Sequence, residues 1–405
     1  FSVRAQARTS CISLCPFAYL KDVLAVANDL RIQEVRLASF RNYRSLALGN
    51  IGGLTIFVGP NATGKSNVVE GIQLLCAHGS FRSARGRDLI MWGAPFARLE
   101  ARFVSDSRDL SVATVIEPAS RSYTLNGKRR AAQDLQGILP AVAFSPDDLE
   151  LAKGSQTPKR SAIDLLGSQL SKNHRVIRRD YEKLLRNKNA LLKDEASDVL
   201  IDSVNDALIP VAARLHMYRV ALFRNLCGRM ARIYGDITDG AEELSYSYIP
   251  SWLPEDLAEL AESRPYDAEM SKDEVLDATA NAMFSRRLEE RARHRAVVGP
   301  HADRMEFFID GRNARTFASQ GQQRSIALAW KIAEVELVKK MLGIKPVLLL
   351  DDVMSELDAR RRSALVDLLH EDIQTFMTAT DLTCFEDDIV DRASVLDLSK
   401  AGVRA

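Results

Sequence analysis

Leu54-Thr-Ile-Phe-Val58 followed by Gly59-Pro60-Asn61-Ala62-Thr63-Gly64-Lys65-Ser66-Asn67 is the stretch that decides the fold. Leu54–Val58 is a short apolar strand. Beyond the loop, Val68, Val69, Ile72 and Leu75 recur at helical spacing over Lys65–His78. Between them, Gly59–Ser66 satisfies the pattern of a phosphate loop. Its glycines let the backbone curl until successive N–H groups converge on an anion. The helix opening there adds its partial positive charge. Lys65 supplies a point charge to β- and γ-phosphates, and Ser66 offers a hydroxyl to Mg²⁺. A strand, a glycine loop and a helix in this order predict an α/β fold that binds a nucleoside triphosphate.

Such a loop needs a metal-holding carboxylate on a neighbouring strand. Val347-Leu-Leu-Leu-Asp351-Asp352 supplies the candidate. Its apolar run implies a strand buried on both faces, as in a parallel sheet. Asp351 at the strand end would hold Mg²⁺, and Asp352 would polarise the attacking water. Alone, the segment reads equally well as a strand ending in two solvated acids; the phosphate loop tips the reading. A third element is Ser319-Gln-Gly321-Gln322-Gln-Arg324, which opens a helix marked by Ile326, Ala329, Trp330, Ala333 and Leu337. Ser319 and Gly321 offer a hydroxyl and N–H groups to an anion there, although simple helix capping explains the same residues. The arrangement resembles the signature motif of ABC-type ATPases, which binds the γ-phosphate held by the opposite subunit. That resemblance implies a dimer sandwiching two ATP.

Outward from these motifs, Arg31–Ser39 alternates like a half-buried strand. Asn126-Gly127 and Asp310-Gly311 mark two hairpins. Residues from about 158 to 295 read as a helical lobe interrupted at Ile249–Pro254, without sustained heptads. Helical spacing returns at Lys331–Met341 and Ala359–Leu369. The expected organisation is a leader at 1–30, a first ATPase half at 31–150, an inserted helical lobe at 151–295, and a second ATPase half at 296–405. The leader is expected to be disordered or spurious. Arg4, Arg8 and Lys21 without an acid before Asp22 also fit a transit peptide. Cys11 and Cys15 lack a second ligand pair, so no zinc site is expected there.

The motifs also occur as a set. Phe40-Arg-Asn-Tyr43, the phosphate loop continuing to Asn67 and Glu70, Ser80-Phe-Arg-Ser-Ala-Arg85 and Phe144-Ser-Pro-Asp-Asp-Leu149 are followed by Gly299-Pro-His301. Ser319–Arg324 and Leu348–Asp352 with Ser355-Glu-Leu-Asp358 complete it. In this order, over roughly residues 31 to 385, the chain resembles the RecF family of bacterial recombination-repair ATPases. The resemblance implies an SMC-like, ABC-type ATPase head with a mixed or parallel sheet and an inserted helical lobe. It implies a cytoplasmic, weak, DNA-stimulated ATPase that dimerises with ATP on duplex or gapped DNA. With RecO and RecR it would load RecA, and slow hydrolysis would reset the dimer.

Carried onto this sequence, Lys65 and Asp352 are catalytic, while Ser66 and Asp351 hold the metal. Gly59 to Asn67 bind ATP in one chain, and Ser319, Gly321 and Gln322 bind the partner's ATP. Ser355 and Asp358 form the turn that crosses the dimer interface. Ala62 stands where a glycine is common, and Ser66 where threonine is usual. Ala302 and Arg304 depart from the run that usually follows Gly-Pro-His, and Thr157–Ser161 keeps one of two adjacent arginines. The switch histidine of transporter ATPases is missing at Phe376–Thr380.

Composition alone is less telling. With 405 residues, 46% hydrophobic, and a net charge of +1, a disordered chain is excluded and nucleic acid is not signalled. No apolar run approaches the length of a membrane helix. Five cysteines are too scattered for a disulfide scaffold. Neutrality conceals segregation, however. Lys172–Lys193 holds eight Lys or Arg against two acids, and Glu255–Asp277 two against nine. Arg175, Arg178, Arg179, Lys183 and Arg186 are the candidate DNA contacts, with Arg175, Arg179 and Arg186 on one helical face. A solvated helix face is the competing reading. The lack of interleaved aromatics favours duplex backbone over single strands. A transporter ATP-binding subunit or an SMC-related chromosome ATPase are the alternative classes. The long insertion and missing histidine disfavour the first, and the lack of heptad arms disfavours the second.

Overall fold

Val347–Asp351 lies inside a parallel sheet, as its continuous apolar run requires. The computed structural model describes residues 30–77, 85–135, 137–266, 269–370, 372–383 and 385–399. The leader before residue 30, with Cys11 and Cys15, and residues 80–84 of the Ser80–Arg85 motif lie outside them. Five strands run in the order Ser394–Asp397, Leu54–Val58, Thr375–Ala379, Val347–Asp351, Ala141–Phe144, every pair parallel. Leu349 stands opposite Ala143, and Phe57 opposite Thr378. The two α/β segments of the sequence therefore close into one sheet, with the helical residues between them.

Side chains along these strands alternate between two cores. Ile56, Val142, Phe144, Leu348, Leu350 and Met377 face the helix Gln320–Leu342. Phe57, Ala141, Ala143, Val347, Leu349 and Phe376 face the helix Lys65–Cys76 and a second sheet. This is strand periodicity, with both faces apolar because both are covered. The second sheet is antiparallel, ordered Tyr43–Leu48, Arg31–Phe40, Ala97–Ser105, Arg108–Ile116, Arg121–Leu125, Lys128–Arg130. Its last hairpin turns at Asn126 (φ 51°) and Gly127 (φ 74°), both left-handed, as the Asn-Gly pair predicts.

The helical lobe contains Gln156–Leu170, Lys172–Lys193, Asp198–Thr238, Glu255–Ser263, Lys272–Ser285 and Arg287–Arg293. One segment read as helical is a strand. Leu244–Ile249 pairs antiparallel with Arg304–Ile309, which turns at Asp310-Gly311 into Arg312–Asn313. The reason is tertiary. Tyr246 and Tyr248, two residues apart, both meet the Phe223 ring edge-on, at 5.5 and 5.8 Å, and that contact requires an extended backbone.

Asp198–Thr238 is shared between regions. Leu222 to Ile237 pack in the core of the signature helix, whereas Leu208, Ala212 and Leu215 pack with Tyr181, Met283 and Val298. No helix among the described residues is long and apolar enough to cross a membrane.

Candidate nucleotide site

Leu54–Val58 delivers the chain into the loop, and Lys65 starts the helix that leaves it. Ala62 (φ 66°) and Gly64 (φ 100°) both take left-handed backbone. Gly64 is also sterically required, because a Cβ there would meet Asn42 Nδ2 at 2.5 Å and Tyr43 Oη at 2.8 Å. The Tyr43 phenol is buried with no hydrogen-bond partner among the described residues, and burial pushes its pKa up to about 12. Lys65 Nζ is held over the loop, donating to Gly59 O at 2.6 Å and Pro60 O at 3.0 Å.

The Phe40–Tyr43 motif, quoted from the sequence without a role, is the brace of this loop. Asn42 Nδ2 donates to Thr63 O at 3.3 Å, and Asn67 Nδ2 donates to Asn42 Oδ1 at 2.7 Å. Arg41 grips the buried Glu70 carboxylate with two hydrogen bonds of 2.9 Å and reaches Asp88 O at 2.7 Å. A bidentate guanidinium–carboxylate pair fixes direction as well as distance. The loop is thus clamped from its own helix and from the antiparallel sheet.

Asp351 and Asp352 end a strand one removed from Leu54–Val58, with Thr375–Ala379 between them. Thr378 on that middle strand sets both acids. Its Oγ1 donates to Asp351 Oδ1 at 2.8 Å and accepts from Asp352 N at 2.9 Å. Asp351 is buried, while Asp352 is half-buried on left-handed backbone (φ 56°). Such backbone costs an aspartate roughly 1 kcal/mol and turns its carboxylate out of line with the strand. Ser355 Oγ donates to Asp352 O at 3.0 Å and stands 3.3 Å from Oδ1. Asp358 Oδ1 accepts from Arg361 N at 3.0 Å, capping the helix Ala359–His370. The resemblance predicts threonines in the Phe376–Thr380 run without giving Thr378 a role, because only its place on the neighbouring strand supplies one.

Ser319 and Gln322 form a capping box. Ser319 N donates to Gln322 Oε1 at 2.8 Å, and Gln322 N donates to Ser319 Oγ at 3.2 Å. Gln322 Nε2 also donates to Glu242 Oε1 at 2.8 Å, so its amide is committed to the helix start. Ser319 is exposed. Arg361 couples this helix to the Ser355–Asp358 turn, ion-pairing with Asp358 and donating from Nε to Ser325 Oγ at 2.9 Å. A Cβ on Gly321 would meet Arg361 Nη2 at 3.1 Å, so glycine keeps the passage open. The signature helix and the phosphate-loop helix cover opposite faces of the parallel sheet.

The basic helix is sorted by its packing. Lys188, included in the basic count, is buried against Glu290 at 2.7 Å and belongs to the lobe interior. Arg178 is paired with Glu182 at 2.8 Å and lies 3.6 Å from Asp164. Arg175 is half-buried and donates to Ala132 O at 3.2 Å. Lys172, Arg179, Lys183, Arg186 and Lys193 are exposed. With Arg175 they fall within one stripe at the helical period.

The family model of the RecF/RecN/SMC N-terminal domain matches residues 31–397. RecF of Halalkalibacterium halodurans, a DNA replication and repair protein, is 34% identical over 380 residues, covering 93% of this chain and 99% of its own. The chain belongs to the RecF family. RecF of Heliobacterium modesticaldum is likewise 34% identical, over 90% of this chain and 96% of its own. The structure of the recombination mediator protein RecF with ATP in the RecFOR pathway has a TM-score of 0.78 and 27% identity, over 88% and 94% of the two chains.

Within this RecF-family fold, Gly299-Pro-His301 proves to be a structural latch. His301 Nδ1 lies 2.6 Å from Tyr181 Oη, and Arg219 Nη1 donates to Pro300 O at 2.5 Å. Gly299 (φ 133°) has no room for a Cβ beneath the Tyr181 hydroxyl. Asp303, which follows the latch, is buried and accepts from Tyr248 Oη at 2.7 Å and Ser251 N at 2.8 Å.

Proposed function

We propose that this chain is an ATP-dependent DNA-binding protein of recombinational repair. In this reading, two copies sandwich two ATP and clamp duplex or gapped DNA, and slow hydrolysis releases the clamp. The carrying observation is the split arrangement: the helix that leaves the phosphate loop and the helix that opens at the signature cap pack on opposite faces of one sheet. One chain then supplies half of each complete site, and ATP is the adhesive between halves. The RecF relatives and the ATP-bound RecF structure support the same reading. Membership also favours a cytoplasmic setting, with RecO and RecR as partners in loading RecA.

The donors at the site suit Mg²⁺. The Ser66 hydroxyl and the Asp351 carboxylate are hard oxygen ligands, and no His, Cys or carboxylate group of three is placed to hold a softer metal among the described residues. When bound, Mg²⁺ would neutralise charge on the β- and γ-phosphate oxygens. The chain's own residues do the rest. Gly59 to Asn67 cradle the phosphates with backbone N–H groups, and Lys65 leaves its two carbonyls for the phosphate. Asp352, turned by its left-handed backbone, orients the attacking water and takes its proton. Ser319 and Gly321 face the γ-phosphate of the partner's ATP, Gln322 fixes the helix start that presents them rather than meeting the phosphate itself, and Ser355 and Asp358 line the joint.

Thr378→Val keeps the volume and removes both hydrogen bonds to the Asp351–Asp352 corner. ATP turnover at limiting Mg²⁺ is expected to fall about 10- to 100-fold, and saturating Mg²⁺ should recover part of the loss. Turnover equal to wild type would detach Thr378 from the metal corner. Ser319→Arg tests the sandwich itself. Light scattering with ATP and Mg²⁺ should show dimers for the parent chain and monomers for the variant, with ATP still bound by each monomer. A variant that dimerises normally removes the sandwich.

A further inference from the structure

The basic helix does not stand alone. The segment Pro118–Gln133 carries Arg121, Lys128, Arg129 and Arg130 and no acid. It forms the hairpin at the edge of the antiparallel sheet. Lys128, Arg129 and Arg130 are exposed. Their side chains have no ion pair or hydrogen bond among the described residues. Three other cations of the same sheet are ion-paired: Arg36 with Glu34, Arg98 with Glu100, and Arg102 with Asp109. Charges on an edge strand deter edge-to-edge pairing. Lysine is the usual choice for that purpose, whereas two of these three cations are arginines.

The hairpin and the helix meet. Arg175 Nη1 donates to Ala132 O, two residues beyond the last hairpin cation. Tyr123 stands directly opposite Arg130 in the hairpin. Ala131 and Ala132 line the same cleft as Lys172, Arg175 and Arg179. From Lys172 to Lys193 the helix stripe spans about 32 Å, close to the roughly 34 Å of one duplex turn. The hairpin adds a second cationic element beside the N-terminal part of that stripe.

We infer that Lys128, Arg129 and Arg130 form a second phosphate-contacting element, which grips the duplex together with the exposed stripe of Lys172–Lys193. This rests on the DNA-binding reading above and adds to it where on each chain the duplex lies. The partner chemistry is the double-stranded phosphate backbone, read without regard to sequence.

The test is fluorescence anisotropy of a short mixed-sequence duplex with the full chain, ATP and Mg²⁺, across a range of KCl concentrations. The charge-reversed variant K128E/R129E/R130E is expected to bind about ten-fold more weakly or worse, with a log–log salt slope shallower by roughly 2–3. The neutral variant K128Q/R129Q/R130Q should fall between, and both should melt at the parent temperature because these exposed side chains make no hydrogen bond or ion pair among the described residues. Parent affinity and slope in the reversed variant would overturn the inference. K183E/R186E separates it from the underlying reading. If only that helix variant loses DNA, the hairpin assignment fails and DNA binding stands. If neither variant loses DNA, the duplex lies elsewhere on the chain and the inference fails; if the parent chain itself binds no duplex, the underlying reading fails.

Discussion

Replacing Lys65 by arginine is expected to lower ATP turnover about 100-fold or more while nucleotide binding persists. The ammonium of Lys65 is a compact charge that sits between the Gly59 and Pro60 carbonyls, 2.6 and 3.0 Å away. It is buried where the loop turns into the helix. A guanidinium keeps the charge, so the phosphates still find a cation. Its planar fork cannot occupy the same point or follow the γ-phosphate as charge develops there. Single-turnover hydrolysis and equilibrium binding of a labelled nucleotide check the two halves separately. Unchanged hydrolysis would remove Lys65 from the chemistry.

Arg219→Ala carries the largest expected effect on stability, a loss of about 3–5 kcal/mol. Arg219 and Asp164 are both buried and joined by two hydrogen bonds, of 2.7 and 2.6 Å. Arg219 also holds Pro300 O, and so the latch at Gly299–His301. Burial alone would raise the Asp164 carboxyl. The Arg219 charge, hydrogen bonds from His174 and Arg219, and the Arg178 charge outweigh it and hold Asp164 below the usual carboxylate range. Removing the arginine strands a buried carboxylate.

Thermal unfolding should report a drop of roughly 10 °C for a lobe of this size. The pH dependence has a definite sign. Because Asp164 has its pKa depressed by folding, its pairing stabilises above its unfolded value of about 3.9 and is lost as pH falls through the folded value. Parent and variant are therefore expected to differ most near neutrality and to converge in acid. A variant as stable as the parent at pH 7 would show that the pair contributes nothing. Arg219→Met with Asp164→Leu removes both charges and should recover part of the loss.

Legibility varied with how local each signal was. The phosphate loop, the apolar strand ahead of Asp351 and the Asn-Gly and Asp-Gly hairpins are local patterns, and each stands where its residues predict. Leu244–Ile249 was misread because its extended form comes from Phe223 and the partner strand Arg304–Ile309. Lys188 counted as a basic-face residue in the sequence, yet Glu290, 102 residues away, draws it inside. Charge along a helix is visible in sequence; which face packs is not.

What the sequence by itself determined was the phosphate cradle, the α/β grammar around it and the family, because glycines, a lysine and strand periodicity act over a few residues. The tertiary structure alone decided the braces. Asn42 against Thr63, Thr378 between Asp351 and Asp352, Arg361 between Asp358 and Ser325, and Arg219 against Asp164 join segments distant in the chain. Their strength comes from burial and bidentate geometry, and neither exists until the sheets and the long helix have closed around them.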